Sequence, residues 1–90
     1  MKLKDDNMGD VILVYKIMPD CPDSFDKVKK ALEELKPVRL EEEPIAFGLK
    51  AFKFTTIVPD QGGLVEELER KLESIEGVQS VENIMTSLSL

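Results

Sequence analysis

The sequence has no histidine and no tryptophan, a single cysteine, Cys21, and a single tyrosine, Tyr15. Without histidine the commonest general base and metal ligand is missing, and a Cys–His dyad is excluded. One cysteine supplies neither an intrachain disulfide nor a zinc set. Cys21 lies between Asp20 and Pro22-Asp23, where nearby negative charge disfavours the thiolate, so it reads as a loop thiol rather than a nucleophile. Basic residues are the minority, 12 against 18 acidic, and the net charge is −6. Phosphate binding needs a basic surface that this balance does not supply. Lys16, Lys50 and Lys53 all fall on strand-like segments, however, and a sheet could gather them into a strip. Long hydrophobic runs are lacking too. The longest near the start, Val11 to Tyr15, is too short for the h-region of a signal peptide, and nothing approaches the roughly 18 apolar residues of a membrane span. These absences lead us to expect a cytoplasmic protein that binds neither nucleic acid nor membrane and holds no metal and no cofactor.

What remains is an ordinary globular composition, 42% hydrophobic and 33% charged over 90 residues, which fits one small two-layer domain. Residues 1–7 are polar and aperiodic, and are expected to form a flexible extension ahead of a domain spanning 8–90. The domain repeats itself: Ile17-Met18-Pro19-Asp20 returns forty residues later as Ile57-Val58-Pro59-Asp60. At that offset Val28 meets Leu68, Leu32 meets Leu72 and Val38 meets Val78. Each half reads as strand, Pro-Asp, helix, strand.

The strands follow from period two. Val11, Leu13, Tyr15 and Ile17 alternate along Asp10 to Met18, with Lys16 on the other face; Phe52, Phe54, Thr56 and Val58 alternate along Leu49 to Val58, with Lys53 opposite. At the forty-residue offset Leu13 meets Lys53, a conflict of faces that a one-residue slip in one loop resolves. A weaker strand runs from Val38 to Glu42, and a last one, of poor alternation, from Val78 to about Leu88. Two apolar stripes mark the helices: Phe25, Val28, Leu32 and Leu35, then Leu64, Val65, Leu68, Leu72 and Ile75. Asp23 or Ser24 caps the first, and Gly77 reads as the residue just past the end of the second. Glu66 and Arg70, and Glu67 and Lys71, stand at favourable i,i+4 spacing. The expected fold is α+β: a ferredoxin-like β-α-β-β-α-β sandwich, with two helices on one face of a four-stranded antiparallel sheet.

That fold hosts many functions, so the site must carry the argument. Glu41-Glu42-Glu43 could offer two carboxylates to a hard cation, but an acidic edge strand that blocks aggregation explains it as well. Asp60-Gln61-Gly62-Gly63 could cradle an anion at a helix N-terminus, yet it lacks the Lys and Ser/Thr of a P-loop. An acylphosphatase-like enzyme needs an arginine in a phosphate-binding loop, and Arg39 and Arg70 fall outside the turns. Pro44-Ile45-Ala46-Phe47-Gly48 fits no simple structural need. Phe47 either folds back onto the core or projects as an interface anchor. A regulatory or small-ligand module dimerising through its sheet is the alternative to a protein-binding role.

Several blocks together resemble the archaeal-type elongation factor 1-beta family. Gly9-Asp10-Val11 opens the domain and Lys16-Ile17-Met18-Pro19 ends the first strand. Glu42-Glu43-Pro44-Ile45-Ala46-Phe47-Gly48-Leu49-Lys50-Ala51 is the most specific block, and Ile75-Glu76-Gly77-Val78-Gln79-Ser80-Val81-Glu82 closes the match. The resemblance implies a ferredoxin-like guanine-nucleotide exchange factor that binds elongation factor 1-alpha, speeds GDP release and performs no covalent chemistry. It implies that Phe47 touches the GTPase, with Pro44, Ile45 and Gly48 holding it. It also implies a role for the last residues, Leu88, Ser89 and Leu90, where the family commonly has a basic side chain and this sequence has none. A monomer is expected.

Overall fold

The computed structural model describes residues 9–46, 48–59 and 62–89. The extension expected at 1–7 lies outside them. Strand β1 (Asp10–Pro19) leads through a 3₁₀ turn (Pro22–Ser24) into helix α1 (Phe25–Glu34). Strands β2 (Arg39–Pro44) and β3 (Lys50–Pro59), helix α2 (Leu64–Glu73) and strand β4 (Val78–Ser89) follow. The four strands form one antiparallel sheet in the order β2-β3-β1-β4. This is the ferredoxin-like α+β arrangement that the sequence pattern predicts.

The alternation places the core as expected. Val11, Leu13, Tyr15 and Ile17 of β1 and Phe52 and Phe54 of β3 pack against Val28 and Leu32 of α1 and Leu72 of α2. Burying one such aliphatic or phenylalanine side chain contributes about 1.5–3 kcal/mol. Phe25, at the start of α1, stacks on Phe52 with ring centroids 4.5 Å apart. Leu13 is buried and Lys53 exposed on the opposite face, whereas Val28 and Leu68, and Leu32 and Leu72, share the buried sides of their helices. The expected slip therefore lies between strand and helix, in the connection after Pro19 or Pro59.

Two local expectations are corrected. Ser24 occupies the cap position of α1, but its backbone is helical (φ −84, ψ −6) and its hydroxyl makes no capping bond. That hydroxyl donates instead to Asp20 Oδ1 at 2.6 Å, and Asp23 belongs to the 3₁₀ turn. Gly77 does not directly follow α2, which ends at Glu73 with Ser74 as its cap. It sits with φ +96 in a turn closed by the Val78 N–H donating to Ile75 O at 3.2 Å. Glu66, Glu67, Arg70 and Lys71 are exposed on α2, as a solvated face requires, and the ion pairs among the described residues lie elsewhere, as in Lys27–Glu76, Lys29–Glu42 and Arg39–Glu41.

The poor alternation of the last strand has a physical cause. Val14 pairs with Met85 and Tyr15 with Asn83, leaving Ile84 extra in a β-bulge, and a second shift, Met18 with Ser80 but Pro19 with Val78, leaves Gln79 extra. The Asn83 amide donates to Val14 O at 3.3 Å and to Met85 O at 3.1 Å, bridging the first bulge.

Candidate partner-binding site

Pro44 has no N–H to donate and closes β2 opposite Lys50. The chain then reverses: the Ile45 N–H donates to Leu49 O at 2.8 Å, and the Leu49 N–H to Ala46 O at 3.1 Å. Gly48 has φ +75, a conformation that favours a residue without Cβ. Ile45 is 41% exposed on this loop. Phe47 lies outside the described residues. The structure thus brings Pro44, Ile45 and Gly48 together in one hydrogen-bonded reversal.

It places the C-terminal candidates elsewhere. Leu88 pairs with Val11 and Ser89 with Asp10, at the far end of β1 from the loop. Leu88 is 63% exposed, and Leu90 lies outside the described residues. At about 3.3 Å per strand residue the two groups stand roughly 30 Å apart.

Beside the loop is a cleft of about 230 Å³ between the β1–α1 connection and the start of β3. Apolar Met18, Pro19, Pro22, Phe25 and Leu49 line it with the exposed Asp26 and Lys50. Lys50 Nζ is 3.6 Å from Glu42 and 5.6 Å from the centre of the Phe25 ring, so its charge is balanced by a carboxylate and an aromatic face. Glu42 also holds Lys29 Nζ at 3.2 Å. Asp20 sits at the same end. Its carboxyl is held below the usual range chiefly by the Ser24 hydroxyl, and further by the Cys21 side chain and the charge of Lys27.

The lysine strip does not form as a set of three. Lys16 and Lys53 are cross-strand partners on the open face, but Lys50 shares the helix-covered side with Phe52. Glu41 pairs with Lys53 and Glu82 with Lys16, so the open face carries the row Glu41, Lys53, Lys16, Glu82. As strand geometry requires, Glu42 points away from Glu41 and Glu43. Among the described residues no three Cys, Asp or Glu side chains converge to hold a metal ion. No described helix is long and apolar enough to cross a membrane.

Sequence reasoning missed one buried polar group. The Tyr15 hydroxyl, within a side chain only 1% exposed, donates to Glu69 Oε2 at 3.0 Å and ties β1 to α2. Burial, then the hydrogen bond to Glu69 and its negative charge, push the phenol above its ordinary value. The periodicity of β1 marked Tyr15 as core, but no signal within 54 residues named its partner.

Fold and site together define a ferredoxin-like α+β domain with an exposed, hydrogen-bonded loop at one end of its sheet. Residues 12–87 match the EF-1 guanine nucleotide exchange domain, and the chain belongs to that family. It is 44% identical over 85 residues to elongation factor 1-beta of Methanoregula boonei, covering 91% of this chain and 100% of that one. It is 46% identical over 78 residues to elongation factor 1-beta of Methanosphaerula palustris, covering 83% and 92%. Against the same factor of Thermoplasma acidophilum the identity is 38% over 87 residues, covering 90% and 99%.

Proposed function

We propose that this protein is the guanine-nucleotide exchange factor of elongation factor 1-alpha, promoting GDP release and GTP loading during translation elongation. The observation that carries this reading is the family match across residues 12–87, which takes in nearly all of the fold. The protein acts in the cytoplasm as a monomer, by protein binding, without cofactor and without covalent chemistry. Exchange is then a coupling between two binding events: the factor binds most tightly to the state of the GTPase that holds nucleotide least well. Displacing the ordered elements around the phosphates and Mg²⁺ is the structural form such coupling takes.

Phe47 is the anchor on the GTPase in this reading. Pro44, Ile45 and Gly48 hold its loop, and Leu88, Ser89 and Leu90 make a second contact. The separation of the two groups supports a grip at two distant points, which transmits rotation between parts of a partner better than one patch does. Release of a fluorescent GDP from elongation factor 1-alpha tests this. The wild type accelerates release. Phe47→Ala lowers the acceleration at least tenfold with little change in melting temperature, and removal of Leu88 to Leu90 lowers it more than it lowers stability. Full exchange by both variants contradicts the assignment of the site.

A further inference from the structure

The cleft beside the loop is a second feature of that end of the molecule, and its size and charge constrain what it takes. At about 230 Å³ it falls below the ~300–1,000 Å³ of small-molecule sites. It matches one large side chain of a partner, the kind of pocket that anchors an interface. Its walls are Met18, Pro19, Pro22, Phe25 and Leu49, which favour an apolar occupant. Its α1 side is acidic: Asp26 lines the wall and Asp20 and Asp23 lie on the adjoining connection, while Glu42 already holds Lys29 and Lys50. Lys50 is already engaged by Glu42 and the Phe25 ring, so it adds no free positive charge.

We infer that this cleft is a specificity pocket for a large apolar side chain presented on a basic segment of the GTPase. The apolar walls take the side chain, and the exposed carboxylates of Asp20, Asp23 and Asp26 take the lysines or arginines that flank it. This rests on the proposed exchange function and adds to it a pocket that borders the Pro44–Gly48 reversal, sharing Gly48 and Leu49 with it. Complementary charge here speeds encounter and selects the partner, and its effect fades with added salt.

The test uses the full chain and the GDP-bound GTPase, with affinity measured at low and high salt and GDP release followed in parallel. Asp26→Lys reverses a charge on the cleft wall. Glu66→Lys, exposed on α2, changes the net charge equally and serves as control. Alkylation of Cys21, the only thiol of the chain, fills the cleft from its own wall. The expected result is about tenfold or greater loss of affinity for Asp26→Lys and for the alkylated protein, with unchanged circular dichroism and melting temperature. Asp26→Lys also flattens the salt dependence, and Glu66→Lys does neither. If the wild type accelerates release and the two cleft-altered proteins match it, the pocket is overturned while the exchange function stands. If the wild type neither binds nor accelerates, both are overturned.

Discussion

Tyr15 is a core residue, 1% exposed, that carries a hydroxyl. It is the only tyrosine, its ring lies in the core, and its hydroxyl reaches Glu69. Its pKa is raised in the folded protein, so the stabilising contribution is complete below the ordinary tyrosine value near 10. As pH rises beyond that value, the unfolded chain ionises first and stability falls. Absorbance of tyrosinate is therefore expected to grow only as the fold is lost, not near pH 10 in a folded protein. A free titration near pH 10 with native circular dichroism would contradict the buried bond. Tyr15→Phe should cost about 1 kcal/mol at neutral pH by urea unfolding and abolish this alkaline limb. Asp20 behaves in the opposite sense. Its lowered pKa gives stability that is present above the ordinary aspartate value and lost as pH falls through the depressed one.

At the scale of elements, two glycines separate conformational from steric need. Gly48 and Gly77 both have positive φ, but a Cβ on Gly48 meets open space. On Gly77 it would come within 3.0 Å of Ser24 Cβ and 3.1 Å of Val28 Cγ2. The Asp20 N–H also donates to Gly77 O at 2.7 Å, so this turn is clamped against the start of α1. Gly48→Ala should cost about 1 kcal/mol, and Gly77→Ala clearly more, about 2–3 kcal/mol, by equilibrium unfolding. Equal costs would contradict the close packing. The same elements show what the sequence displays and what it hides. Alternation in β1 and β3 and the two apolar stripes made strands, helices and core legible, because burial imposes those periods directly. The bulge at Ile84 was not legible, since one extra residue simply looks like broken alternation. Nor was the 3₁₀ turn before α1, where the Ser24 hydroxyl prefers Asp20 to the helix end. At the site, Pro44 and Gly48 announced a reversal. The cleft did not announce itself, because Met18, Phe25 and Leu49 meet only in the fold.

At the scale of the whole molecule, antiparallel pairing sends the Pro44–Gly48 reversal and the end of β4 to opposite poles of the sheet. The reversal's pole carries the cleft and a concentration of carboxylates, which suits a partner that is basic there. The far pole exposes Leu88, and β4 itself holds no lysine or arginine. Charged groups stand there too: Asp10 pairs with Ser89, and Lys36 and Lys71 lie beside Val58 and Pro59. Binding of an exchange factor lowers the affinity of elongation factor 1-alpha for its nucleotide. The most direct measurement is release of fluorescent GDP from that GTPase with the protein present at substoichiometric amounts. Each molecule of the protein is expected to discharge many molecules of the GTPase. Release at the intrinsic rate, with a folded protein and the cognate partner, would contradict it.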